Sequence, residues 1–160
     1  MLGTTFVLAF RSIRRLFTDV LEIGEPAWMV EAERAWDRPP ELPAVRVLAP
    51  IWRDPWMTIG SGTFSGDVLS RLGLVNLLGQ APDRYPKRAI AHLQGLRPEV
   101  VVLPDEPYPF SLTDGPEAFP GVPPALVSGR DLTWYGPSLV TARHTLTTRI
   151  SQALGVAGTR

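Results

Sequence analysis

The chain has no cysteine, a single lysine and only two histidines in 160 residues. Without cysteine there is no disulfide, no thiolate nucleophile and no cysteine-ligated zinc or iron–sulfur site. The two histidines, His92 and His144, fall short of the ligand sets by which proteins hold transition metals. They lie in separate predicted helices with no candidate triad around them, so each reads as a helix-surface residue. A formal net charge of zero leaves no long-range field to gather nucleic acid or an anionic membrane. The lone lysine, Lys87, stands beside fifteen arginines scattered from Arg11 to Arg160, a bias that reflects genome composition. No apolar run approaches the roughly 18 residues of a membrane span. The short run at 5–10 has no basic residue before it and no small-residue cleavage site after it, so it does not read as a signal peptide.

What remains is an ordinary composition for one soluble domain, with 44% hydrophobic and 20% charged residues. Phe6, Phe10, Ile13, Phe17, Val20 and Leu21 recur at three-to-four spacing, which predicts an amphipathic helix over 6–23 with Arg11, Arg14 and Arg15 on its other side. Gly24 ends it, and Pro26 opens a second helix over 27–36. The two make an N-terminal helical arm. Residues 38–43 hold three prolines in six positions, a stiff connector. The expected organisation is an arm and connector over 1–43 and an α/β lobe over 44–160. In that lobe short apolar runs alternate with helical stretches, the pattern of a mostly parallel four-strand sheet flanked by helices. Strands are expected at 45–51, 75–78, 100–103 and 125–127. Helices are expected at 63–72, 87–96 and 137–154, with a short turn near 116–119.

In open parallel sheets, ligands bind beyond the carboxyl ends of the strands. Three segments that follow strands are unusual. Trp52-Arg53-Asp54-Pro55-Trp56-Met57, Pro104-Asp105-Glu106-Pro107-Tyr108-Pro109-Phe110 and Asp131-Leu132-Thr133-Trp134-Tyr135-Gly136-Pro137 each combine aromatics, charge and proline. Proline lowers the entropy lost when a loop is held in one conformation. Aromatic faces beside arginine and carboxylate suit a large, partly apolar ligand with ionic groups. One such aromatic alone would read as packing, but three loops at one end of a sheet read as a binding face.

Catalytic readings fare less well. The segment from Gly60 to Gly66 resembles a dinucleotide fingerprint, but eight residues separate it from its strand where that motif needs an immediate turn. Ser61 and Ser65 lack the glycine two positions earlier that a nucleophile elbow requires, and no phosphate-loop lysine follows. The segment reads as a helix N-terminal turn. Asp105 and Glu106 are adjacent, so their side chains point apart, and no second partner for acid–base work is evident. No catalytic residue and no protein-held metal is expected.

The motifs Val47-Leu48-Ala49-Pro50-Ile51-Trp52-Arg53-Asp54-Pro55-Trp56-Met57-Thr58, Arg84-Tyr85-Pro86, Val101-Val102-Leu103-Pro104-Asp105-Glu106-Pro107-Tyr108-Pro109-Phe110 and Trp134-Tyr135-Gly136-Pro137 are similar, in order and spacing, to substrate-binding proteins of ABC importers. The subclass is the helical-backbone metal receptors. These capture cobalamin, haem or ferric siderophores between two α/β lobes joined by a long helix and deliver them to a membrane permease. The resemblance covers the second lobe and the joining helix, of which the arm would be the remnant. It implies an extracytoplasmic, membrane-associated protein with no intrinsic cofactor, the metal entering inside the ligand. A signal peptide, a lipidation cysteine and a first lobe are not found in this sequence. That would make the chain cytoplasmic if Met1 is the true start, and either truncated or one half acting with a separately encoded lobe or as a homodimer. The implied ligand-facing residues are Trp52, Arg53, Trp56, Arg84, Tyr85, Glu106, Tyr108, Trp134 and Tyr135. Asp131 is nearest to the carboxylate by which such lobes dock on a permease. Two other readings stand beside this one: an interaction or dimerisation module built on the arm, and a small enzyme using Glu106 or Asp105.

Overall fold

The computed structural model describes residues 4–155. Residues 1–3 of the expected arm and 156–160 of the expected lobe lie outside the described residues. The lobe is α/β, built on a four-stranded parallel sheet. Its strands are β1 (Arg46–Leu48), β4 (Val75–Asn76), β5 (Val100–Pro104) and β6 (Pro124–Val127), in the spatial order β4-β1-β5-β6. The short strands β2 (Pro50–Trp52) and β3 (Met57–Thr58) form a separate antiparallel hairpin. Around them lie α1 (Thr4–Arg15), α2 (Ala27–Trp36), α3 (Phe64–Arg71), α4 (Ile90–Gly95), α5 (Gly129–Thr133) and α6 (Leu139–Leu154).

Strand alternation divides the interior into two cores, because successive side chains leave opposite faces of a sheet. Val47, Val100, Val102, Ala125 and Val127 point into one cluster, while Leu48, Val101 and Leu103 point into the other. β5 is buried along all five residues, as a central parallel strand covered on both faces must be. The larger core is covered by α1, α2, α3, α5 and α6. On α6, Leu139, Ala142, Leu146 and Ile150 form one fully buried stripe, and the helix stops at left-handed Gly155. The arm contributes Phe6, Phe10, Met29, Ala32 and Trp36 to the same core, so it packs as part of the lobe's interior. Trp36 Nε1 donates to the Leu139 carbonyl at 2.9 Å, which anchors α2 on the start of α6.

Several expected boundaries shift for identifiable reasons. The strand expected at 45–51 divides at Ala49, because Pro50 has no N–H for the central ladder and the chain instead folds back through the hairpin. The helix expected over 87–96 begins only at Ile90. Ahead of it, Pro86 accepts from Thr58 N–H at 3.1 Å and Arg88 N–H donates to Trp56 O at 3.1 Å, so tertiary pairing with the hairpin overrides helix propensity there. The arm's first helix passes at Leu16–Val20 into a wider π-helical turn, which leaves Val20 and Leu21 exposed where the sequence periodicity predicts burial. Asp131, Leu132 and Thr133, read in sequence as loop, belong to the one-turn helix α5.

Because arm and lobe share one core, Trp36→Ala is expected to cost about 3–5 kcal/mol in denaturant unfolding while preserving a single transition. An early, separate transition of the arm, with the remaining transition unchanged, would contradict the shared core.

Candidate functional site

The carboxyl ends of β1, β5 and β6 lead into the hairpin, the 104–110 loop and α5, and these gather at one end of the sheet. Between them lies a groove of about 500 Å³. Ile51, Ile59 and Phe64 floor it. Three further segments complete the lining: Arg84 with Tyr85, Glu106 with Pro107, and Thr133 with Trp134 and Tyr135.

Two glycines make this convergence possible by allowing close backbone approach. Gly60 N–H donates to the Arg84 carbonyl at 2.8 Å, and a Cβ at Gly60 would collide with the Asp83 carbonyl and Pro86. The bare backbone therefore seats the 83–86 loop against the floor and carries Arg84 and Tyr85 to the rim. At the opposite side a Cβ on Gly129 would collide with the side chain and backbone of Glu106. Gly129 N–H donates to Asp105 Oδ1 at 2.7 Å, so Asp105 is committed to the start of α5. Next to it in sequence, Glu106 keeps a buried Oε1 with no hydrogen-bond partner. The glycine-rich turn after Gly60 does what its sequence predicts: Thr63 caps α3, its hydroxyl accepting from Gly66 N–H at 3.0 Å.

Five of the nine residues singled out in the sequence line the groove: Arg84, Tyr85, Glu106, Trp134 and Tyr135. Trp134 and Tyr135 are 57% and 55% exposed, and Tyr85 is 46% exposed. Tyr135 leans edge-on against Phe64 with ring centroids 5.2 Å apart. Arg84 has no carboxylate within ion-pair distance among the described residues. Trp52 lies on a shallower neighbouring depression with Pro55, Met57 and Lys87, and its ring meets Tyr108 edge-on at 5.6 Å. Ile51 and Pro107 border both depressions.

The other three serve the loops themselves. Trp56 is only 7% exposed, stacked 6.0 Å from Phe110 and edge-on to Phe119 in the second core. Arg53 lies over the Trp56 ring at 5.1 Å and is ion-paired to Asp114 and, at 2.7 Å, to Glu117. Tyr108 OH donates to Asp114 Oδ2 at 2.7 Å. These bonds tie the hairpin to the 108–117 loop and leave Arg53 little freedom to meet a ligand. Asp131 sits half-buried on α5, where burial raises its carboxyl above the usual range against the pull of Arg130. A docking carboxylate would be better presented if it were exposed. Ile51, Ile59, Phe64, Ser65, Pro107 and Thr133 also line the groove; Ile51, Pro107 and Thr133 lie in motifs the sequence marks but were not singled out within them, and Ile59, Phe64 and Ser65 carried no ligand signal.

No family model matches the chain and no curated protein matches it, whereas solved structures do. A periplasmic solute-binding protein from Staphylococcus epidermidis aligns with a TM-score of 0.74 at 15% identity, over 91% of this chain and 62% of that one. The chain has the fold of one lobe of these binding proteins. The periplasmic heme-binding protein RhuT from Roseiflexus aligns at 0.66 and 18% identity, over 94% of this chain and 64% of that one. BtuF, the periplasmic vitamin B12 binding protein of Vibrio cholerae, aligns at 0.60 and 16% identity, over 79% of this chain and 50% of that one. The chain thus spans 50–64% of the length of these solved proteins. No described helix is long and apolar enough to cross a membrane.

Hydrogen bonds from Tyr108 and Arg53 hold the Asp114 carboxyl below its usual range. Burial alone would push Glu117 up, but bonds from Arg53 and the Gly115 N–H outweigh it and its carboxyl also lies low. Groups with depressed folded values stabilise above their unfolded pKa and lose that contribution as pH falls through the folded value. The amides of residues 53–58 should therefore lose hydrogen-exchange protection progressively as pH falls below about 4, the ordinary carboxylate range, and Asp114→Asn should flatten that profile. A variant profile superimposable on the native one would contradict this role.

Proposed function

We propose that the groove binds a metal chelate of the cobalamin, haem or ferric-siderophore class without chemical conversion, as one lobe of a substrate-binding protein serving an ABC importer. The observation that carries this reading is that the exposed rings of Trp134, Tyr135 and Tyr85 line one groove with Ile51, Ile59 and Phe64, together with Arg84, which has no ion pair among the described residues, and the unsatisfied Glu106 oxygen. Flat rings offer area to a macrocycle or an aryl chelate at low entropic cost. Arg84 suits a ligand carboxylate, phosphate or chelating oxygen, and Glu106 suits a hydroxyl or amine donor. The fold shared with a B12-binding and a heme-binding protein supports the same class. In this reading the opposite wall of the cleft comes from a second lobe, the metal stays inside its ligand, and the chain acts outside the cytoplasm beside its permease. An open single wall implies modest affinity.

Titration with haem, cobalamin and a ferric catecholate, followed by tryptophan quenching, is expected to show saturable binding of at least one. Trp134→Ala or Arg84→Gln should weaken that binding about tenfold, the scale of one lost stacking or charged contact. Saturable binding of none of the three, or binding indifferent to both substitutions, would refute the reading.

A second reading rests on the arm, where Val7, Leu8, Leu16, Val20, Leu21 and Ile23 are all exposed, more apolar surface than an isolated face needs. Self-association through this face predicts a dimer in light scattering that Val20→Glu with Ile23→Glu converts to monomer. A monomer at all concentrations would remove this second reading.

A further inference from the structure

The cap on α3 leaves part of its first turn unused. Thr63 Oγ1 takes the Gly66 N–H at 3.0 Å. The N–H groups of Phe64 and Ser65, one and two residues into the helix, have no i−4 carbonyl within it and donate to no acceptor among the described residues. Both residues line the ligand groove. Hydroxyls beside them are committed, Ser61 Oγ to the Ala81 carbonyl at 2.6 Å and Thr63 Oγ1 to the Gly60 carbonyl at 3.3 Å. Ser65 differs. It is only 6% exposed, its Oγ forms no hydrogen bond among the described residues, and unlike Thr58 Oγ1 that oxygen is not sealed from solvent.

Gly60 ties this turn to a cation. Its N–H donates to the Arg84 carbonyl at 2.8 Å and its own carbonyl accepts from Thr63. Arg84 lines the same groove and has no ion pair among the described residues. Nearby carboxylates do not take up these donors. Asp67 Oδ2, in the first turn of α3, accepts from the Phe6 N–H at 2.9 Å and from the Thr5 hydroxyl. Asp83 is exposed and forms no ion pair with Arg84. Glu106 lines the groove too, packed on Gly129 at the start of α5. Two N–H groups at a helix N-terminus, a nearly buried hydroxyl and a guanidinium thus offer donors and positive potential with no protein acceptor.

We propose that this corner of the groove is an oxyanion subsite, in which Ser65 Oγ, the Phe64 and Ser65 N–H groups and Arg84 hold a peripheral carboxylate or phosphate of the bound chelate. The assignment rests on the groove being the ligand site and narrows its ligand to chelates that carry such a group, with Glu106 left to accept from a ligand hydroxyl or amine. Amide NMR of the full chain titrated with inorganic phosphate and, separately, with acetate reads the subsite without any chelate. Saturable shifts of the Phe64 and Ser65 amides are expected with at least one of them, chloride at matched ionic strength giving none, and the tighter anion identifies the group. Ser65→Ala and Arg84→Gln should each weaken that anion about fivefold, the scale of one lost hydrogen bond. The same anion at saturation should weaken, by competition, any chelate that binds. No shift at the two amides, equal shifts with chloride, anion affinity indifferent to both substitutions, or chelate affinity unaltered by the anion would overturn the subsite. Anion binding that obeys these expectations while no chelate binds would support the subsite and refute the chelate reading alone.

Discussion

A chain of aromatic rings holds the arm, the lobe and the groove in one arrangement. Trp36 meets Phe6 at 5.4 Å, Phe6 stacks on Phe64 at 5.3 Å and 9°, and Phe64 supports Tyr135 at 5.2 Å. Each link joins different parts of the sequence: arm to arm, arm to α3, α3 to the segment after α5. Such pairs contribute about 0.5–1.5 kcal/mol each beyond the area they bury, and here they also set position. Tyr135 can remain largely exposed and still have a defined place because the ring behind it is fixed by the arm.

The sheet supplies the second constraint. Alternation along β5 commits both faces to packing, so polar chemistry is confined to the strand ends, where chain direction reverses into loops. Parallel order brings the carboxyl ends of β1, β5 and β6 to the same edge, and backbone contacts through Gly60 and Gly129 bring the loops close enough to form one groove. The fold that this chain shares with the solved binding proteins holds at 15–18% identity, as expected where packing demands residue class more than residue identity.

The fold class was legible because its signals are local: apolar runs at 100–103 and 125–127, a three-to-four stripe opening the arm, and a proline-rich connector after Trp36. The site was legible in part. Trp56 and Trp134 look alike in sequence, each an aromatic in a loop with charge and proline nearby, yet one is core and the other exposed. Phe110 and Phe119 decide the fate of Trp56, and they lie more than fifty residues away. Arg53 and Arg84 are similarly alike until Asp114 and Glu117, equally remote, capture the first, while the second has no ion pair among the described residues. Long-range partners are what local pattern cannot show. The same holds for Gly60: its glycine-rich context reads correctly as a helix N-terminal turn, but nothing local shows that its bare backbone lets the 83–86 loop touch the floor.

The central claim is that ligand meets this chain at the groove bounded by residues 83–86, 106–107 and 133–135. Hydrogen-exchange mass spectrometry with and without a saturating chelate tests it most directly. The account predicts slowed exchange confined to peptides covering 64–66, 83–86, 105–108 and 130–136, with α4 and α6 unchanged. Protection that appears elsewhere while those peptides stay unaltered would contradict it.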